Sequence, residues 1–139
     1  MKKFLMIMAA AICLAGCSTS SQEVIYDITL TYSKLEVSLF NTPKAYTEIS
    51  SKLSAFSKEY GDEWIATVHN GNFSKTDKSA KSRFNTAAEA FENVKSECEA
   101  ILENSSSSDS FTIDVSLVLK RFSDGEDHLL DSRDAEFSK

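Results

Sequence analysis

Residues 76–104 carry a single apolar face at helical spacing, and this face limits the possible folds more than any other feature of the sequence. The apolar side chains recur at steps of three and four residues: Phe84, Ala87, Ala88, Phe91, Val94, Cys98, Ile101 and Leu102. The pattern predicts a long amphipathic helix that Thr76 or Asp77 opens and Asn104 ends. Such a helix has to bury its apolar face against another element.

A second, shorter segment shows the same period. Its apolar stripe consists of Tyr46, Ile49, Leu53, Phe56 and Tyr60. We expect Thr42 to cap this helix, Pro43 to lie in its first turn and Gly61 to end it. Two helices that each have one apolar face need an apolar surface to cover, and one face of a small β-sheet provides it.

Residues 23–40 alternate between apolar and polar side chains, as a half-buried strand does. The apolar phase shifts by one residue after Ser33, which would move the side chains to the other face. Either a bulge near Ser33 and Lys34 in one long strand or a tight turn into a second strand accounts for this shift. The lack of a glycine or Asn-Gly turn signal favours the bulge.

Two further segments have strand character. Residues 64–70 predict a short strand that stops at the sequence Asn-Gly-Asn. Residues 111–122 predict a strand with five apolar side chains on one face, namely Phe111, Ile113, Val115, Leu117 and Leu119. Residues 123–126 follow as a turn, and residues 128–139 either add a short edge strand or fray.

This order of elements predicts a small α+β domain over residues 23–139. The preferred arrangement is a two-layer sandwich in the order strand, helix, strand, helix, strand. Its sheet is mostly antiparallel and carries both amphipathic helices on one face. The alternative arrangement is a long antiparallel pair, residues 23–40 against residues 111–122, crossed by the two helices.

The first residues are typical of an export signal. Lys2 and Lys3 form a basic start, and an apolar run over residues 4–14 leads to small residues. The run is about eleven residues long, whereas a helix needs roughly 20 apolar residues to span a bilayer. The stretch Leu14, Ala15, Gly16, Cys17 then resembles the lipobox of bacterial lipoprotein precursors, which consists of an aliphatic residue, a small residue, Gly or Ala, and Cys.

This resemblance implies that Cys17 receives a diacylglycerol and that a peptidase cuts between Gly16 and Cys17. Residues 1–16 would be removed, and residues 17–22 would form the lipidated cysteine and a short polar tether. Several acyl chains, such as palmitate, anchor a protein stably in a membrane. Ser18 follows the cysteine where an Asp would retain the protein in the inner membrane. By resemblance to the sorting rule of enteric bacteria, the outer membrane of the cell envelope is therefore favoured over the inner one, and the cytoplasm is excluded. A plain signal peptide with a chance cysteine is the alternative.

The charge balance restricts the partners. The chain has 15 basic and 21 acidic residues, and removal of Lys2 and Lys3 would leave 13 basic residues and a net charge of −8. An acidic domain does not suit nucleic acid, and anionic lipid surfaces would repel it. The lipid on Cys17 is therefore the expected contact with the membrane.

The sequence contains no constellation that specifies catalysis. Cys98 lies on the apolar helix face, near the helix C-terminus and beside two glutamates, which favours a buried thiol over a nucleophile. His69 and His128 lie in no triad pattern. The acidic stretch around His128 lacks the order of a calcium loop and has too few ligands for zinc. We therefore expect no catalytic residues, no metal and no cofactor.

The best candidates for binding are Trp64, Asn70 and Asn72, because a tryptophan beside a Gly/Asn loop can stack on a sugar or an aromatic side chain. Tyr26 and two other tyrosines, Tyr32 and Tyr60, form either a second candidate surface for a partner or a packed edge of the core. The expected role is interaction with an envelope protein or glycan, or that of an accessory subunit. The alternatives are a small envelope hydrolase that uses carboxylates or His128, and an inhibitor or immunity protein with a basic target.

Overall fold

The computed structural model describes residues 20–33, 42–106 and 108–139. Within these ranges it contains β1 (Ser21–Tyr32), α1 (Lys44–Tyr60), β2 (Asp62–His69), α2 (Ser74–Glu103), β3 (Thr112–Ser123) and β4 (Glu126–Ser138). The strands form one antiparallel sheet in the order β2-β1-β3-β4. The predicted α+β class with a mostly antiparallel sheet is confirmed. The β1–β3 pair that the alternative arrangement required is also present, at the centre of this sheet.

Both helices cover the same side of the sheet, which we call the inner face. The central strands contribute eight buried side chains to it: Val24, Tyr26, Ile28, Leu30, Ile113, Val115, Leu117 and Leu119. These side chains form one core cluster with the buried stripe of α1 and with that of α2. The apolar faces predicted for both helices and for residues 111–119 are therefore the core.

Aromatic rings join the two helices to each other and α1 to the start of β3. The rings of Phe56 in α1 and Phe91 in α2 meet edge to face, with centroids 5.8 Å apart. Tyr46 at the start of α1 contacts Phe111 in the same way, at 5.9 Å. This contact places the start of α1 at the end of the sheet where β3 begins.

The helix starts differ from the predictions. Pro43, with extended backbone (φ −58°, ψ 137°), is the N-cap of α1, and no side-chain hydrogen bond caps this end among the described residues. The predicted Thr42 cap is therefore wrong, because Thr42 lies one residue too early. Helix α2 begins at Ser74, two residues before Thr76. Asn72 Oδ1 accepts hydrogen bonds from the N–H and the hydroxyl of Ser74, at 3.3 and 2.9 Å, which supports this earlier start.

A two-residue turn joins β3 to β4. Asp124 (φ 54°) and Gly125 (φ 77°) both have left-handed backbone, as the two-residue hairpin turn whose twist matches that of the strands requires. An aspartate followed by a glycine suits these two positions, because both residues tolerate a positive φ better than most. The predicted turn at residues 123–126 is confirmed.

Strand β4 is an edge strand, as one prediction for the tail had it, but with 13 residues it is not short. Its pairing with β3 shifts between Leu119 and Lys120, which pair with Asp131 and Leu129. Leu130 is the extra residue of this bulge. The bulge interrupts the two-residue period, so the sequence of this segment did not show clean alternation.

Several predictions fall outside the described residues. They include the signal segment with Gly16 and Cys17, and the apolar phase shift at residues 34–40 with its predicted bulge. At the start of the domain, Ser21 and Gln22, which were predicted to belong to the tether, are the first two residues of β1.

We expect the Phe91→Ala substitution to lower the free energy of unfolding by about 3–5 kcal/mol, because it removes a fully buried ring at the contact between the helices. Urea denaturation followed by circular dichroism measures the change. Glu92→Ala, at the next and exposed position of α2, is the matched control and should change the stability by less than about 0.5 kcal/mol. Equal losses for both variants would contradict this account of the core.

Candidate functional site

Trp64 lies on the inner face of β2, where its ring already has two partners within the protein. It stacks against Tyr26, with centroids 5.5 Å apart and planes 17° apart. The guanidinium carbon of Arg83 lies 4.2 Å from the Trp64 ring centroid. A sugar or aromatic ligand that stacked on Trp64 would have to compete with these neighbours, so binding through Trp64 stays a prediction.

Asn70 and Asn72 belong to the turn between β2 and α2. Asn70 has left-handed backbone (φ 54°), and its Oδ1 accepts a hydrogen bond from the N–H of Ser20 at 3.2 Å. Asn72 holds the start of α2 through Ser74, as described above. Trp64 lies six residues before Asn70 along an extended strand, which corresponds to roughly 20 Å. The structure therefore does not gather Trp64 and the two asparagines into one pocket.

A polar cluster that the sequence did not predict lies where α2 starts over the sheet. The Tyr26 hydroxyl donates a hydrogen bond to Asp77 Oδ1 at 2.6 Å and lies 2.6 Å from Thr76 Oγ1. Arg121 Nη1 donates to Asp77 Oδ2 at 2.6 Å, and the Arg121 guanidinium lies 4.0 Å from the Phe73 ring centroid. Both carboxylate oxygens of Asp77 are therefore engaged.

The environment of this cluster keeps the Tyr26 hydroxyl protonated. Burial, reinforced by the hydrogen bond to Asp77, raises the pKa of Tyr26 to about 12. Tyr26 thus stays protonated at neutral pH and acts as a hydrogen-bond donor. Of the two interpretations of the tyrosines, the packed core edge holds for Tyr26, because its side chain is fully buried.

Two sequence signals relate to this cluster. Arg121 continues the inward phase of β3 after Leu117 and Leu119, and an arginine on a buried face needs a carboxylate partner. Asp77 lies in the first turn of α2, where a negative charge is favourable. The two residues are 44 positions apart in the chain, so neither signal alone identified the pair.

The two histidines lie on different strands. His69 is exposed at the end of β2. His128 lies opposite Arg121 and is half-buried, and its Nε2 finds no hydrogen-bond partner among the described residues. Within the described part of the chain, no group of three or more His, Cys, Asp or Glu side chains could hold a metal ion. Next to His128 in the chain, Asp127 lies on the other face of β4, because it pairs with the outward Phe122 whereas His128 pairs with the inward Arg121.

Cys98 is fully buried in the core, as its position on the helix stripe predicted. Burial raises the pKa of its thiol to about 11, and Glu97 and Glu99 add to the effect while Lys52 opposes it. A thiol with this pKa carries almost no thiolate at neutral pH and is a poor nucleophile.

The sheet has a second side, which we call the open face, and both helices lie on the opposite side. It consists of the outward residues of all four strands. Five apolar side chains lie on it: Ile25, Ile65, Val118, Phe122 and Leu129. Ile65, Ile25 and Phe122 are direct neighbours across β2, β1 and β3. Ile65 is 43% exposed and Leu129 is 63% exposed, and these are the exposed large hydrophobic side chains of the described residues.

The open face is also acidic. Seven carboxylates point outward on the same face as these apolar side chains: Glu23, Asp27, Glu63, Asp114, Asp127, Asp134 and Glu136. Lys120 is the one basic side chain other than His69 among its described residues. Away from the β3–β4 turn, an open groove of about 740 Å³ is lined in part by Asp114, Asp134 and Glu136. An apolar strip surrounded by carboxylates is suited to noncovalent recognition.

Comparison with protein-family models, with curated proteins and with solved structures finds no match to this chain. In the described part of the chain, neither helix has the length and apolar character needed to cross a bilayer.

We expect the Tyr26→Phe substitution to lower the free energy of unfolding at pH 7 by about 1–3 kcal/mol, because Asp77 loses a buried hydrogen-bond donor. The folded pKa of Tyr26, about 12, lies above its ordinary value of 10.0, so wild-type stability should fall as the pH rises from 10 to 12. Urea denaturation across this range should show a smaller decrease for Tyr26→Phe. An identical pH dependence in both proteins would contradict the role assigned to this hydroxyl.

Iodoacetamide should leave Cys98 unmodified in the folded protein and alkylate it in urea, because the thiol is buried and protonated. Mass spectrometry of the peptide that contains Cys98 separates this cysteine from Cys13 and Cys17. Rapid alkylation under native conditions would show that Cys98 is accessible and reactive.

Proposed function

We propose that this chain is a lipoprotein of the bacterial cell envelope, anchored to a membrane through lipid on Cys17, whose single domain acts by binding and not by catalysis. The stretch Leu14, Ala15, Gly16, Cys17 supports the anchor, because it matches all four positions of a lipobox and follows a basic start and an apolar run. Ser18 favours the outer membrane over the inner membrane. The partner would be another envelope protein or a glycan.

The start of the domain supports a position close to the membrane. Ser20 is held at the turn that follows β2, because its carbonyl accepts a hydrogen bond from the N–H of Asn70 at 2.7 Å. Only three peptide steps separate Cys17 from Ser20, which allows about 11 Å at full extension. A lipid on Cys17 would thus keep this end of the sheet near the membrane, together with the β3–β4 turn, where Gln22 contacts Asp124.

The open face is the observation that carries the binding role. The exposed Ile65 and Leu129 share this surface with Ile25 and Phe122, and exposed apolar side chains grouped on one surface are typical of interaction sites. By contrast, the most organised polar cluster, formed by Tyr26, Asp77 and Arg121, is occupied by its own hydrogen bonds. It offers no free nucleophile or base to a substrate.

The anchor is tested by growing cells that express the full chain with labelled palmitate. We expect the wild-type protein to take up label and to fractionate with the membrane. Cys17→Ser should lose both properties, because the acylated thiol is absent. Cys13→Ser is the matched control, since it also changes a cysteine of the signal segment, and it should behave as the wild type does. An unlabelled wild type, or a labelled Cys17→Ser protein, would disprove the anchor.

The binding role is tested separately, by photo-crosslinking in intact cells from exposed positions on both layers of the domain. A binding domain should give a specific adduct from at least one of these positions. Complete absence of adducts from every position would count against this role without affecting the lipid anchor.

A further inference from the structure

We propose that the open face is the docking surface of this domain and that its partner is a basic protein, with lysine and arginine side chains surrounding an apolar contact. The inference rests on the binding role proposed above, and it does not depend on the lipid anchor. It follows from how the exposed apolar side chains and the charges are divided between the two layers.

The open face concentrates exposed apolar side chains. The two exposed large hydrophobic side chains of the described residues, Ile65 and Leu129, both lie on it. Ile65 pairs directly with the half-buried Ile25 of β1, and Leu129 lies on β4 opposite Lys120, two strands away from Ile25. These side chains lie on β2, β1 and β4, so a partner that covered them would span the width of the sheet.

The charge of the domain is segregated. Helices α1 and α2 together carry eight basic and eight acidic side chains, so the helical layer is balanced. The open face carries seven carboxylates against Lys120. Since the surplus of negative charge is concentrated where the exposed apolar side chains lie, a cationic surface is electrostatically complementary to this face.

Two residues of like charge face each other across β3 and β4. Asp114 and Glu136 are both exposed and lie directly opposite each other on β3 and β4. Like charges in this position destabilise an antiparallel pair. Asp134, the outward neighbour of Glu136 along β4, adds a third carboxylate to the same groove. Lysine or arginine side chains from a partner would relieve this repulsion on binding.

The same charges disfavour other occupants. A second copy of this chain would bring one acidic face against another, and phospholipid or nucleic acid would bring phosphates against carboxylates. A neutral glycan would leave the carboxylates without complementary charge. A basic protein is the occupant that uses both the apolar strip and the charge.

The test introduces a photo-crosslinking amino acid into the full chain in intact cells, at Thr67 on the open face or at Glu92 on the outer side of α2, both exposed. We expect Thr67 to give a discrete adduct with one protein of net positive charge, and Glu92 to give none. The adduct should disappear when Ile65 and Leu129 are both replaced by serine.

The affinity of the purified partner for two triple variants then shows whether binding depends on the charge of the open face or on the total charge of the domain. The triple variant Asp114→Asn, Asp134→Asn, Glu136→Gln should weaken binding about tenfold or more, since it removes the carboxylates of the groove. The matched control Glu89→Gln, Glu92→Gln, Glu99→Gln removes three charges from exposed positions of α2 and should change the affinity less than about twofold. Raising the salt concentration from about 0.05 to about 0.5 M should weaken wild-type binding.

The outcomes separate this inference from the proposed function. Adducts from Glu92 alone would leave a binding domain but overturn the assigned surface. An adduct with a second copy of this chain, with lipid, or with an acidic protein would overturn the assigned partner. Equal effects of the two triple variants would show that total charge matters and not the open face. Absence of adducts from both positions would overturn the docking surface, and absence from every exposed position would also overturn the binding role.

Discussion

The burial of the inner faces of β1 and β3 beneath two helices on one side is the constraint on which the rest of this structure depends. The core needs the inward side chains of both central strands, and each inward residue directs its neighbours to the opposite face. Because both helices take the same side, the outward set of all four strands remains on a separate surface. The open face, with its apolar strip and its carboxylates, is therefore a direct consequence of the two-layer arrangement that builds the core.

Within this apolar layer, one polar contact positions the start of α2 over the sheet. Arg121 is 12% exposed and Asp77 is 23% exposed, so both charges are largely removed from water and depend on each other. Loss of one partner of a buried ion pair typically costs about 3–5 kcal/mol, whereas the intact pair contributes little net stability. Tyr26 on β1 and Arg121 on β3 both donate to the same carboxylate, so this contact connects the start of α2 to both central strands.

The elements that could be predicted are those whose signal is local. The helix stripe around Phe91 and the alternation around Leu117 depend on periods of 3.6 and two residues, which a short stretch of sequence displays in full. Strand β4 was predicted only in outline, because its inward set includes Asp131 and Arg133 and a bulge interrupts its period. Charges that point inward on an edge strand oppose pairing with other chains, and they also hide the strand from pattern analysis.

The sequence by itself determined the positions of the helices and the main strands, the burial of Cys98 and the acidic balance of the domain. Tertiary structure decided which surface carries that acidity, because sheet pairing places carboxylates that are far apart in the chain, such as Asp27 and Glu63, directly opposite each other. It also decided that Trp64, Asn70 and Asn72 do not converge, since an extended strand separates the ring from the turn. The physical reason is the same in both cases: local periodicity specifies which residues share a face of one element, whereas the register between elements specifies which faces meet.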